Sequence, residues 1–254
     1  MTDKEKIVSL FDQNVRGRIP DVSTFNLGHD GGGGHWLERA MGIQANASNT
    51  PDLYGYEMKN NTTSKTTFGD WSADYYIYQD LNYHVRGILF NRDEFLRVFG
   101  RPNPDKGMRY SWSGQPCPKI NVFNSYGQIL EVDDDKNICA KYFYSKDARH
   151  DKSTIVPVDL HKDNVTIARW NRKSIQKKLE RKFNQKGWFK CLQSSSGVYS
   201  SIVFGDPINY ENWIKLVELG DVFFDSGMYE GNPRPYSQWR ASNSLWNQLI
   251  TSRY

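Results

Sequence analysis

Residues 51–59 read Pro51-Asp52-Leu53-Tyr54-Gly55-Tyr56-Glu57-Met58-Lys59. Asp52 precedes Glu57 by five residues, and Lys59 follows Glu57 by two. The aromatic, alternating character of DLYGYEMK predicts a strand. Side chains alternate across a strand, so Glu57 and Lys59 project from one face while Tyr56 and Met58 point to the other. If Asp52 turns in where the strand begins, two carboxylates and one ammonium face the same place. Two carboxylates suit a hard, oxygen-seeking cation such as Mg2+, which keeps several waters and takes one or two protein carboxylates. Such an ion would polarise a phosphate and acidify a water, and Lys59 would orient that nucleophile and offset developing negative charge. Taken alone, a P-D followed at some distance by E-x-K occurs by chance in many proteins, with a surface strand bearing a Glu-Lys pair as the plain alternative.

Upstream, HWLERAMG predicts a helix beginning near His35, with Trp36, Leu37, Ala40 and Met41 on one face and Gly42 at its end. Glu38, fourteen residues before Asp52, lies roughly opposite that face; a solvated helix residue is the competing reading. The stretch from Gly28 to Gly34 reads as irregular, glycine-rich loop, without the Lys-Ser or Lys-Thr of a nucleotide-binding loop. Residues 1–16 read as an amphipathic helix.

Downstream, a polar stretch leads to WSADYYIY, read as a further strand. Turn signals then flank β-like runs at KINVF, QILEV, ICAKYFY and STIVPVDL. Arg169 to Lys190 reads as helical, followed by strand VYSSIVFG, helix ENWIKLVELG, strand DVFFDSGMYEG and helix SNSLWNQLI. Helices and strands mix along the whole length without a linker, which predicts an α/β (α+β) fold whose two lobes share a core around a cleft.

The 254 residues suffice for a full core without staples. No apolar run approaches the roughly 18 residues of a membrane span, and the N-terminus lacks a secretory pattern, so a cytoplasmic, non-membrane protein is expected. Cys117, Cys139 and Cys191 are widely spaced and odd in number, which predicts reduced, buried thiols. Lys and Arg number 33 against 29 Asp and Glu, a net charge of +4, too small to identify a nucleic-acid partner by itself. Its distribution says more. Between Arg169 and Lys190, Glu180 is the one acid among nine basic residues, and on a helix Lys178 with Lys182, and Lys177 with Arg181, form adjacent stripes able to follow phosphates. In NPRPYSQWR, Arg234 and Arg240 suit guanine edges, Gln238 adenine, and Tyr236 packing on sugar or base. Of the histidines, His35 is the one placed to matter.

Read together, residues 34–68 resemble the catalytic segment of the MvaI/BcnI family of restriction endonucleases, relatives of the mismatch-repair nicking enzyme MutH. The shared features are a glycine-rich approach, a helix carrying Leu37-Glu38 and ended by Gly42, then Asp52, a five-residue gap and Glu57-Met58-Lys59. The similarity continues through FLRVFG, the basic helix and LGDVFFDSGMYEG to PYSQWR. It implies a PD-(D/E)xK restriction-endonuclease-like core, a mixed central sheet flanked by helices, and two lobes around a DNA-binding cleft. The catalytic lobe would contain about 25–100 and the recognition lobe much of 165–254.

The resemblance further implies Mg2+-dependent hydrolysis of double-stranded DNA leaving 5'-phosphates, with Glu38, Asp52, Glu57 and Lys59 catalytic and Asp52 and Glu57 on the metal. Near the C-terminus, Arg240 fits a base-reading arginine, but Tyr236 stands where a histidine is expected, which puts the target sequence in doubt. A single-site monomer would cut the strands in successive visits, with a dimer as the alternative. A cognate DNA methyltransferase is expected as a functional partner and not as a bound subunit. The other functions weighed are a MutH-like repair nickase and a non-catalytic module, either DNA-binding or a carbohydrate binder using the 8 Trp and 15 Tyr.

Overall fold

Thr2 starts the first helix through a reciprocal cap: its hydroxyl accepts the Glu5 N–H at 3.3 Å while the Glu5 carboxylate accepts the Thr2 N–H at 2.6 Å. The computed structural model describes residues 1–21, 32–43, 49–60, 62–84 and 91–254. The start of the glycine-rich stretch, His29 and most of the loop before Pro51 therefore lie outside the described residues.

In chain order the elements begin with α1 (Asp3–Asn14), α2 (Gly32–Ala40), β1 (Glu57–Lys59), β2 (Lys65–Asp70) and β3 (Tyr75–Tyr76). Then come α3 (Leu81–His84), α4 (Arg92–Phe99), β4 (Arg101–Asn103), β5 (Arg109–Ser111), β6 (Tyr126–Val132) and β7 (Ile138–Asp147). The middle continues with α5 (Lys152–Ile155), β8 (Val165–Trp170), α6 (Arg172–Phe183), β9 (Trp188–Gln193) and β10 (Tyr199–Gly205). The last are α7 (Tyr210–Glu218), β11 (Val222–Ser226), β12 (Ser237–Ser242), α8 (Asn243–Gln248) and β13 (Ile250–Arg253).

These elements form two compact units, each discontinuous in sequence: 1–66 with 178–210 and 242–254, and 67–177 with 211–241. The first unit is built on a mixed sheet of order β1-β9-β10-β13, in which β1 and β9 are parallel and the other pairs antiparallel. One face carries Met58, Phe189, Cys191, Ile202 and Phe204, which pack with Ile7, Phe11 and Val15 of the α1 segment and with Leu37 and Met41 of the α2 segment. On the other, the Trp188 ring meets Trp246 of α8 edge-on at 4.9 Å, and Phe183 of α6 lies under the Lys59 ammonium. A mixed sheet covered by helices on both faces is the architecture expected.

Gly205 is what lets the Trp188 indole lie flat across β10: a Cβ there would stand 2.2 Å from the ring. The two residues are cross-strand partners, so the fit is set by register.

The second unit holds the sheets β11-β12-β2, β3-β8-β7-β6 and β4-β5. Its core is aromatic: Trp170, Trp213, Trp239 and Phe224 meet at centroid distances of 4.9–5.6 Å. Six tryptophans, Trp112, Trp170, Trp188, Trp213, Trp239 and Trp246, are fully buried. They are core residues. Burial pushes the Asp147 carboxyl up, but hydrogen bonds from Arg149 outweigh it and hold the group below its ordinary value. Arg149 also donates to the Val98 carbonyl, tying β7 to α4.

Several local expectations differ from what forms. STIVPVDL makes α5 and a 3-10 turn, because Pro157 withholds a ladder donor and the N–H groups of Thr154 and Ile155 close back on the Asp151 carbonyl. KINVF makes isolated bridges around Asn121, whose φ is +53°. In WSADYYIY the strand is limited to Tyr75–Tyr76, whereas KTTFGD, read as polar loop, is strand β2 with Thr66 and Phe68 buried. The helical reading of Arg169–Lys190 holds for Arg172–Phe183, with β8 ending before it and β9 beginning after it. Cys117, Cys139 and Cys191 are buried and in no disulfide among the described residues, as expected. No helix among the described residues is long and apolar enough to cross a membrane.

Candidate active site

Strand β1 is short because Leu53 and Tyr56 pair with each other across a tight turn, with Tyr54 and Gly55 both at positive φ. That turn folds Asp52 back along the strand, and its Oδ2 accepts the Met58 N–H at 2.9 Å. Asp52 thus reaches the strand through a backbone bond. Glu57 and Lys59 follow at two-residue spacing and are 2 % and 5 % exposed. The Lys59 ammonium sits 2.9 Å from Glu57 Oε1 and 4.9 Å from the centre of the Phe183 ring.

Lys182, one turn of α6 after Lys178, brings a second ammonium to the same oxygen, 3.1 Å from Glu57 Oε1. Glu57 Oε2, by contrast, is buried with no hydrogen-bond partner among the described residues. Burial raises the Asp52 pKa to about 7, with the nearby charge of Glu57 adding to it and the Met58 N–H, Lys59 and Lys182 opposing it. Burial also lowers the Lys59 pKa, outweighing the carboxylates that favour its charged form. Two crowded carboxylates, one with an orphaned oxygen and the other held partly protonated near neutrality, are a donor set that a divalent cation would satisfy. Among the described residues no group of three or more His, Cys, Asp or Glu side chains converges.

The other sequence candidates are placed as follows. Glu38 lies on α2 with its Oε2 3.4 Å from His35 Nδ1, and it is not drawn into a cluster with Asp52 and Glu57. Gly32 to Gly34, read as loop, are helical; a Cβ on Gly34 would stand 2.5 Å from the Asn60 amide, so the bare glycine lets α2 approach the residue after Lys59. On α6, Ile175, Leu179 and Phe183 form the buried stripe, leaving Lys177 and Arg181 exposed and Lys178 and Lys182 half-buried. The Lys178 carbonyl accepts from the Asn49 amide at 2.6 Å.

In the second unit, Arg234 pairs with Asp70 at 2.9 Å and lies over the Tyr236 ring at 4.2 Å. Gln238 and Arg240 share one face of β12, with Arg240 donating to Gln238 and pairing with Asp225 at 3.2 Å. The participation of Lys182 at Glu57 was not legible in the sequence: the stripe at four-residue spacing marked it as basic surface, and its partner lies on a strand far away in the chain.

The model of the LlaMI restriction endonuclease family matches residues 15–254. The type II restriction enzyme ScrFI of Lactococcus lactis subsp. cremoris is 50% identical over 267 residues, covering 98% of this chain and 97% of that protein. A solved complex of restriction endonuclease MvaI with its cognate DNA substrate superimposes with a TM-score of 0.58 at 15% identity, covering 99% of this chain and 95% of that one. That match concerns the fold, and it agrees with the resemblance carried by residues 34–68. The chain belongs to the LlaMI restriction endonuclease family and is a type II restriction endonuclease.

Proposed function

We propose that the enzyme hydrolyses phosphodiester bonds at a short specific sequence in double-stranded DNA, using Mg2+ held by Asp52 and Glu57 and leaving 5'-phosphates. The observation that carries the proposal is the proximity of Asp52, Glu57 and Lys59, with Glu57 Oε2 buried and without a partner among the described residues. A bound divalent cation would supply Lewis-acid polarisation of the phosphate and acidification of water.

The chain's own residues do the rest. Lys59, fixed between Glu57 and the Phe183 ring, orients the attacking water and offsets the charge that accumulates on the phosphoryl oxygens. The low local polarity that lowers its pKa strengthens both effects. Lys182 brings a second positive charge to Glu57 beside Asp52. Glu38 joins the catalytic set on the strength of the resemblance. Lys177, Lys178 and Arg181 follow phosphates, and Arg234, Tyr236, Gln238 and Arg240 read bases. The enzyme acts in the cytosol as a monomer that visits the two strands in turn, with a cognate methyltransferase protecting host sites; the cognate DNA substrate in the MvaI complex supports DNA as the substrate.

Incubation of unmethylated phage DNA with the protein and Mg2+ should yield discrete fragments, and EDTA should abolish them. Asp52→Ala or Glu57→Ala should stop cleavage while leaving duplex binding largely intact. Full cleavage by both variants would reject the site, and nicked circles without linear product would favour a nickase. Sedimentation with and without DNA tests the monomer.

A further inference from the structure

Lys59 and Lys190 are register partners on the parallel strands β1 and β9, so their side chains leave the sheet on the same face. Lys59 is answered by Glu57, but Lys190 is not answered by any carboxylate among the described residues. It is 2 % exposed, and its ammonium makes one long hydrogen bond there, 3.4 Å to Asn243 Oδ1.

That oxygen is already shared. It accepts from Thr66 Oγ1 at 3.0 Å and Thr62 Oγ1 at 3.3 Å, while Asn243 Nδ2 donates to the Thr62 carbonyl at 2.6 Å. The amide is locked in orientation and offers Lys190 a weak third claim, whereas an ammonium carries three donors.

Beside Lys190 opens a cavity of about 480 Å³, lined among others by Gln193, Asn243, Asn247 and Arg253 and, among the described residues, by no acidic side chain. Arg253 comes from β13, where its guanidinium donates to Ser201 Oγ at 3.1 Å. A buried ammonium without a counter-charge is costly, and desolvation alone holds the Lys190 pKa below the ordinary lysine value. Two cations and three side-chain amides around an acid-free cavity are the complement of a singly charged, oxygen-rich anion.

We propose that this cavity is a second phosphate site, in which Lys190 and Arg253 hold a backbone phosphodiester of the strand whose scissile phosphate is presented to Lys59. The inference rests on the reading of the protein as a DNA-cutting enzyme. It adds that the two lysines at one register level address two phosphates of one strand.

The test uses the full chain with Ca2+ in place of Mg2+ and, as probe, a phage DNA fragment that the wild type cuts. Equilibrium binding is followed between about 50 and 200 mM salt, where each lost phosphate contact lowers the slope of log K against log salt by roughly 0.9. Lys190→Met and Arg253→Gln should each weaken binding and reduce the slope, together by about one contact, while Lys190→Arg keeps it. Competition by inorganic phosphate should be weak in the wild type.

A folded Lys190→Met protein with an unchanged slope overturns the proposal, as does strong displacement by inorganic phosphate. If Lys190→Met does not fold, Arg253→Gln, at an exposed position, decides in the same way. Failure of the underlying function would show elsewhere, as a wild type that neither binds nor cuts the fragment.

Discussion

Lys59 and Lys182 converge on a single carboxylate oxygen, Glu57 Oε1, at 2.9 Å and 3.1 Å. One ammonium comes from the same strand as the carboxylate and the other from α6. The proposed site therefore holds two cations against two acids, and a divalent ion entering it would meet a field that is already largely neutralised. Lys182→Met removes one of these cations and should tighten binding of Ca2+ or Mn2+ by roughly three- to tenfold in a calorimetric titration. An unchanged affinity would mean that Lys182 does not hold Glu57 in solution.

Asp52 should make the metal-free protein less stable as pH rises. Its pKa is raised from 3.8 to about 7, so between those values the folded chain binds more protons than the unfolded one, and stability falls through that window. Asp52→Asn keeps an acceptor for the Met58 N–H and removes the penalty. At pH 8 without divalent ions the variant should be more stable by roughly 2–4 kcal/mol, and near pH 4 by little. Urea titrations at the two pH values measure this; equal gains at both would show that the carboxyl is not perturbed. Added Ca2+ should stabilise the wild type at pH 8 and leave the variant unmoved.

Lys59→Met should lower the cleavage rate about 10²–10³-fold, the loss typical of removing one preorganised charge-stabilising group. Glu57 would still be paired with Lys182, so the fold should survive. Duplex binding in Ca2+ should stay within a few-fold of wild type. Single-turnover kinetics separate the two effects, and a variant that binds poorly but cuts normally once saturated would assign Lys59 to binding.

Gly205→Ala tests a packing relationship two strands away from the chemistry. A Cβ there would stand 2.2 Å from the Trp188 ring, and Trp188 is also the register partner of Glu57. Overpacking of this kind costs about 1–3 kcal/mol, visible as a lower melting temperature, and cleavage should fall with it because β9 must shift under Glu57. Unaltered stability would mean that the indole can move aside.

The spacing of Asp52, Glu57 and Lys59 was readable because it is local. Strand periodicity puts Glu57 and Lys59 on one face and Met58 on the other, and the burial of Met58 among residues of the α1 and α2 segments bears this out. The amphipathic stripe of α6, the α7 segment and the strands around QILEV and ICAKYFY were legible for the same reason. Where the local signal was weak or misleading, partners supplied by the tertiary fold decided. KTTFGD is strand because β12 lies beside it, and STIVPVDL is not, although its residues favour sheet.

What the sequence determined by itself is the set of groups proposed for phosphodiester chemistry and the strand that presents Glu57 and Lys59, since both depend on neighbours within a few residues. What only the tertiary structure decided is the company those groups keep: Lys182 at Glu57, Phe183 under Lys59, and Lys190 level with Lys59 but facing an acid-free cavity. Each of these depends on the parallel pairing of β1 with β9 and on where α6 comes to rest. Such long-range pairings are set by register and packing across the whole unit, and no periodicity within a short window encodes them.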